Sequence, residues 1–104
     1  MEIIGNKFSV QFGTAKAILH FQSETSMTFT ITEKSGAAVD ITEKVSIQLT
    51  ELRPGLYMVS WQEASGTTVT QVQDHDNGMV YSNWTSPGGE FNSRKGTVKQ
   101  LPAS

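Results

Sequence analysis

The chain contains no cysteine among its 104 residues. This absence excludes disulfide bonds, thiolate nucleophiles and cysteine-based zinc sites, and it leaves the redox compartment open. Charged residues make up only 17% of the chain and the net charge is −2, which favours a folded domain and disfavours a basic nucleic-acid-binding surface. No apolar run approaches the ~20 residues that a membrane-spanning helix needs. We therefore expect neither nucleic acid nor a membrane as a partner.

Metal and nucleophile motifs are also missing from the sequence. His20 and His75 share no spacing with a third ligand, and the acidic segment 74–77 lacks the glycine and distal glutamate of a calcium loop. No G-x-S-x-G motif marks a serine nucleophile. These absences predict no metal and no cofactor. The first residues, MEIIGNKF, lack the basic and apolar regions of a signal peptide, so the expected location is the cytoplasm.

Alternation of apolar and polar residues runs through most of the chain, and no segment supports a helix. A period of two residues is typical of half-buried strands, and the intervening Pro and Gly residues are typical of turns. The segment 37–52 is long enough to bend or break near residues 42–44. The predicted strands cover residues 8–12, 15–21, 27–32, 37–52, 57–63, 67–72, 79–84 and 90–101.

This strand count predicts an all-β fold of one domain. About eight strands joined by short turns favour antiparallel neighbours in an up-and-down barrel, and a sandwich is the alternative architecture. Eight strands enclose an interior that is either filled by side chains or able to hold one small ligand. We assign residues 1–101 to the barrel and residues 102–104 to a loose C-terminal tail.

Two groups of lipocalin-like proteins resemble parts of this sequence. LYMVSWQEASGTTVT is similar to the strand pair of the bacterial phenolic acid decarboxylases, which carry a S-W-x-E-x-x-G-T pattern. The runs DHDNGMVYSN, SPGGEF and KGTV resemble the MoaF-like barrel proteins. Both groups are lipocalin-like (calycin) barrels, so the resemblance implies the same fold that the strand count predicts.

The decarboxylase resemblance implies one catalytic residue and lacks the others. Glu63 matches the glutamate that serves the proton transfers in that family. The substrate-holding tyrosine pair corresponds to Val10 and Phe12, which have no hydroxyl group, and the required arginine is missing from the segment 35–40. Without these groups nothing offsets the desolvation of a bound carboxylate. The resemblance therefore implies a barrel that has lost this reaction or never had it.

The favoured hypothesis is a non-enzymatic barrel that takes a small apolar or aromatic ligand into its interior. If Glu63 points inward, burial should raise the pKa of its carboxyl group. A solvated Glu63 at the barrel mouth is the alternative, and a one-residue slip in register would turn Trp61 and Glu63 outward together. The expected ligand contacts are Val10, Phe12, Phe29, Ile31, Tyr57, Val59, Trp61, Glu63 and Tyr81.

Two further hypotheses stay open at the level of the sequence. One is an enzyme on the same barrel, with Glu63 as a general acid or base on a phenolic-type substrate. The other is a homodimeric interaction protein with a filled core. It is suggested by strands with apolar residues on both faces, such as Met58 opposite Tyr57 and Trp84 opposite Tyr81.

Overall fold

Strand-forming segments and glycine-containing turns alternate along the chain, and the computed structural model, which describes residues 2–102, has a strand at each expected place. Each strand pairs antiparallel with the next, and the last pairs with the first, so the sheet closes into a barrel. The predicted all-β up-and-down barrel is confirmed, and the sandwich alternative is excluded. The strands are β1 (Lys7–Phe12), β2 (Ala15–Ser23), β3 (Ser26–Lys34), β4 (Ala37–Arg53), β5 (Leu56–Gln62), β6 (Thr68–Asp74), β7 (Met79–Thr85) and β8 (Phe91–Gln100).

The long strand β4 continues without a break through residues 42–44. It spans 17 residues because its first part pairs only with β3, while Ile47 to Arg53 pair with β5. A register shift between Ile31 and Glu33 marks an irregularity in the β3 pairing. The alternative of a break in this segment is therefore excluded.

The core is built from one face of every strand, because successive side chains of a strand point to opposite sides of the sheet. On β1, Phe8, Val10 and Phe12 are buried, while Lys7 and Gln11 on the opposite face are exposed. Each large apolar side chain that is fully buried contributes about 1.5–3 kcal/mol relative to an exposed one. The buried apolar residues are Ile3, Phe8, Val10, Phe12, Leu19, Phe21, Met27, Phe29, Val45, Ile47, Tyr57, Val59, Trp61, Val69, Val80 and Val98.

One end of the barrel is covered by the residues that precede β1. Ile3 is only 3% exposed and belongs to the same apolar cluster as the strands. The amide nitrogen of Gly5 donates to the carbonyl oxygen of Phe21 at 2.7 Å, which ties this segment to the end of β2. The ring of Phe8 packs edge-on against that of Phe21 with centroids 5.9 Å apart. This end is therefore closed by a tertiary contact of the N-terminal segment.

The C-terminal end of the described chain is tied to β1. The amide nitrogen of Leu101 donates to the carbonyl oxygen of Lys7 at 2.9 Å. Of the predicted tail, Ala103 and Ser104 lie outside the described residues, and the domain boundary at residue 101 stays a prediction. A helix with the length and apolarity to cross a membrane does not occur in residues 2–102.

Candidate functional site

A cavity opens at the end of the barrel opposite the N-terminal segment. Because neighbours are antiparallel, β1, β3, β5 and β7 all run toward this end, and their last inward residues surround the entrance. The cavity volume is about 420 Å³. A water molecule occupies about 30 Å³ of liquid, so the cavity is far larger than a packing defect. The structure therefore has a hollow interior at one end and a packed interior at the other.

Aromatic rings form two opposite walls of this cavity. Phe12 on β1 and Trp84 on β7 meet edge-on with centroids 6.3 Å apart. Phe29 on β3 and Trp61 on β5 lie 6.3 Å apart at an interplanar angle of 33°. Since β4 lies between β3 and β5, and β8 lies between β7 and β1, the two pairs stand on opposite sides of the barrel. Both tryptophans of the chain therefore border the same space.

Most of the residues expected to contact a ligand line this cavity. They are Val10, Phe12, Phe29, Ile31, Trp61 and Glu63. Tyr57 and Val59 also point inward, since they are 2% and 0% exposed, but they lie deeper than the cavity and belong to the packed part of the core. The ring of Tyr57 packs edge-on against the imidazole of His75 at 5.6 Å.

Tyr81 was expected inside the barrel, and this expectation is wrong. Its side chain is 47% exposed on the outer surface, where the Lys95 ammonium lies 6.0 Å from the ring centroid. On β7 it is Val80, Ser82 and Trp84 that face inward. Each face of β7 holds two large apolar residues, so the alternation alone did not decide which face is buried.

The expected ligand contacts omit several residues that line the cavity, among them Gln71, Ser82 and Trp84. Gln71 is 5% exposed and Ser82 is 1% exposed, although both are polar. A signal for Gln71 did exist. The tight β5–β6 turn sets Val69 opposite Trp61 and Gln71 opposite Val59, so an inward face on β5 requires Gln71 to point inward too.

A chain of hydrogen bonds runs from His75 to the inner end of the cavity. His75 Nε2 lies 3.1 Å from Gln73 Oε1, and Gln73 Nε2 donates to Gln71 Oε1 at 2.9 Å. Because Gln73 offers its carbonyl oxygen to the imidazole, His75 Nε2 carries the hydrogen of this contact. Burial lowers the pKa of His75, against the opposing effect of the carboxylates of Asp74 and Asp76.

Glu63 lies at the cavity mouth with a carboxyl group that is only partly solvated. Burial raises the pKa of this group, and the nearby negative charge of Glu43 raises it further. A hydrogen bond from Trp61 Nε1 to Glu63 Oε2 at 3.3 Å opposes the shift, as does the charge of Lys34. Glu43 is held close because its Oε2 accepts from the amide nitrogen of Ala64 at 2.7 Å.

Charges of both signs surround the mouth. Lys16 and Glu33 form a partly exposed ion pair at 3.8 Å, and Lys34 and Glu90 also border the entrance. Such an exposed pair contributes little to stability. Because both of its residues border the entrance, we assign the pair to the polar rim of the cavity. Across the described range 2–102, no three His, Asp or Glu side chains come together in a way that could hold a metal ion.

An eight-stranded up-and-down barrel with a cavity open at one end is the lipocalin-like architecture. Within that class the chain belongs to the MoaF-like family, whose family model matches residues 4–99. The predicted resemblance to this family is confirmed, whereas the resemblance to the phenolic acid decarboxylases stays a prediction.

A solved structure shares the whole fold. It is described as a "putative beta-lactamase" from Burkholderia vietnamiensis, with 22% sequence identity, a TM-score of 0.86 and 97% of each chain covered. At this identity the likeness concerns the fold alone. A comparison with curated proteins finds no match.

Proposed function

We propose that this protein is a non-enzymatic barrel that binds a small apolar or aromatic molecule in its cavity. The observation that supports this proposal is the hollow end of the barrel, with a cavity volume of about 420 Å³. Binding sites for small molecules have volumes of roughly 300–1,000 Å³ and apolar walls with a few polar groups. The proposed setting is the cytoplasm.

The two aromatic walls favour a flat or aromatic ligand. A ring between Phe12–Trp84 and Phe29–Trp61 would bury its apolar faces, and aromatic contacts of this kind are worth about 0.5–1.5 kcal/mol beyond the burial of area. Glu63 and the charged residues at the mouth would contact the part of the ligand that stays near solvent.

The proposal is tested by titrating the protein with hydroxycinnamates, aromatic amines, fatty acids and flavonoids. Both tryptophans border the cavity, so a bound ligand is expected to change their fluorescence emission. A ligand that binds only the folded state also raises the melting temperature, Tm. We expect at least one class to produce both effects, and the absence of both effects with all four classes would count against a binding function.

A matched pair of substitutions separates the cavity from the outer surface. Ala17 lines the cavity, whereas Ala38 on β4 is exposed. Ala17→Leu fills part of the space and is expected to abolish the ligand effects while the circular dichroism spectrum is unchanged. Ala38→Leu adds the same atoms outside the cavity and should bind as wild type does. Equal binding by both variants would contradict the assigned site.

A second candidate is an enzyme that uses Glu63 as a general acid or base. It is favoured by the raised pKa of this carboxyl group and by its position at the cavity mouth. Phenolic acids are the substrates suggested by the S-W-x-E-x-x-G-T pattern, and the description of the structural neighbour adds a β-lactam such as nitrocefin. Turnover by wild type that is lost in a folded Glu63→Gln variant would support this candidate, and no turnover would exclude it for these substrates.

A third candidate is self-association through the outer surface. Met58, Val72 and Tyr81 stand side by side on β5, β6 and β7, and Met58 and Tyr81 are 37% and 47% exposed. Trp84, which the sequence suggested as further surplus apolar area, is instead turned toward the cavity. Sedimentation velocity of wild type and Tyr81→Ser tests this candidate. A dimer that dissociates in the variant would support it, and a monomeric wild type would count against it.

A further inference from the structure

The inner end of the cavity contains a hydrogen-bond donor that the protein leaves free. The Oε1 atom of Gln71 is occupied by the contact from Gln73. Within residues 2–102 the Nε2 atom of Gln71 donates to no side chain or backbone group. Every fully buried side-chain nitrogen or oxygen in this range has a hydrogen-bond partner, so an atom without a partner is not fully buried. This nitrogen is therefore accessible. Because Gln71 is 5% exposed and lines the cavity, its N–H groups open onto the cavity.

The side chain behind this amide occupies its oxygen. Gln73 Nε2 donates to Gln71 Oε1 at 2.9 Å, and Gln73 Oε1 lies 3.1 Å from His75 Nε2, so the Gln71 nitrogen is the atom turned toward the cavity. The imidazole of His75 is held edge-on by the rings of Phe8 and Tyr57, at centroid distances of 4.8 and 5.6 Å. The free donor is therefore preorganised before any ligand arrives.

A second polar group adjoins this donor. Ser82 is the cross-strand partner of Gln71, lines the cavity and is 1% exposed. The surrounding inner surface is apolar and includes Val10, Leu19 and Val69. A polar group left without a partner in such surroundings is unfavourable, so a ligand that supplies an acceptor here binds better than one that does not.

We propose that the cavity selects ligands with an apolar or aromatic body and one neutral carbonyl oxygen, which accepts a hydrogen bond from Gln71 Nε2 at the inner end. This inference rests on the proposed binding function and specifies its ligand class. A neutral carbonyl fits better than a carboxylate because Lys16 and Lys34, the cations in the cavity lining, belong to the mouth. A carboxylate at the inner end would lose its hydration without gaining an ion pair.

The test compares three probes of similar size by isothermal titration calorimetry: acetophenone, ethylbenzene and benzoate. Acetophenone differs from ethylbenzene by its carbonyl oxygen. One net hydrogen bond corresponds to about a fivefold change in affinity. We expect wild type to bind acetophenone about fivefold more tightly than ethylbenzene, and benzoate more weakly than acetophenone.

Two variants assign this preference to Gln71. Gln71→Met has a similar shape without the amide, and it should reduce the ratio of acetophenone to ethylbenzene affinity to one or below. Gln48→Met makes the same change at an exposed position on β4 and should retain the wild-type ratio. A ratio that is unchanged in folded Gln71→Met would overturn the proposal.

The outcomes for wild type separate the two levels of the proposal. Equal affinity for acetophenone and ethylbenzene, or stronger binding of benzoate, would leave the binding function intact and overturn the carbonyl preference. No binding of any of the three probes would overturn the inference, whereas the binding function itself is decided by the four ligand classes named above. If Gln71→Met does not fold, the carbonyl stretching frequency of acetophenone bound to wild type decides. A frequency lower than in hexane supports the hydrogen bond, and an unshifted frequency contradicts it.

Discussion

Glu63 illustrates how one carboxyl group links the cavity to the stability of the fold. Burial and the charge of Glu43 make its ionised form unfavourable, and the Trp61 hydrogen bond and Lys34 offset only part of this effect. A carboxyl group with a raised pKa binds its proton more tightly in the folded than in the unfolded state. Its contribution to stability is therefore complete at low pH and is lost as the pH rises through the folded-state pKa.

At this residue scale, we predict that Glu63→Gln changes how stability depends on pH. At about pH 4 and below, both side chains are neutral and the two proteins should have similar Tm values. Above about pH 4, the variant should become progressively more stable than wild type until the Glu63 carboxyl group is ionised in the folded state, since the variant has no charge to bury. Melting curves measured by circular dichroism across this range provide the test.

The control for this prediction is Glu24→Gln, which removes an exposed carboxylate from the β2–β3 turn, remote from the cavity. A Tm difference between Glu63→Gln and wild type that stays constant with pH would contradict the prediction. So would a difference that has the opposite sign at neutral pH.

The barrel closes at the seam where β8 pairs with β1, and this seam requires a glycine at position 96. A side-chain carbon at Gly96 would overlap the carbonyl oxygen of Gln11 and the ring of Phe12. Its backbone is not in the left-handed region, so the need for glycine here comes from space and not from conformation. β1 pairs with β8 over only four residues, from Phe8 to Gln11, so this seam has little redundancy.

At the scale of this element, Gly96→Ala is expected to destabilise the protein by about 1–3 kcal/mol, because backbone atoms of β1 must move. Gly88→Ala is the matched control, since the nearest heavy atom to its side chain would be Ser86 Oγ at 3.9 Å. Its effect should stay within about 0.5 kcal/mol. Urea unfolding measures the free energy of unfolding of each variant. Similar values for the two variants would contradict the requirement for glycine at the β8–β1 seam.

The molecule as a whole is asymmetric along the barrel axis, with a packed end and a hollow end. The packed end combines strand residues with Ile3, which comes from outside the sheet. The hollow end has no comparable segment across it among residues 2–102, and its inward side chains leave the space described above. The N-terminal segment is therefore part of the core and closes the packed end of the barrel.

At the molecular scale, Ile3→Ala should lower the free energy of unfolding by about 2–5 kcal/mol, the usual cost of removing a buried isoleucine side chain. Ile41→Ala removes the same atoms from a side chain that is 45% exposed, and its effect should remain below about 1 kcal/mol. Urea unfolding again provides the comparison. Equal effects of the two substitutions would show that the N-terminal segment does not belong to the core.

The sequence alone determined the eight strands, their approximate bounds and the antiparallel order, because alternation and turn residues are local properties. It also favoured an inward face of Tyr57, Val59 and Trp61 on β5, while a one-residue slip that turns Trp61 outward stayed open until the structure showed these three residues buried. The MoaF-like motifs pointed to the family that the comparison of residues 4–99 shows.

Only the tertiary structure decided which face of β7 is buried and whether the interior is hollow. The alternation on β7 is the same whether Tyr81 or Trp84 faces the interior. The pairing of β7 with β6 and β8 places Trp84 inside the barrel. The β5–β6 turn links the orientation of Gln71 to that of Val59, so Gln71 could be placed inside only once the buried face of β5 was known. Register, closure at Gly96 and packing of Ile3 join residues far apart in sequence, so no local pattern could predict the cavity that they leave.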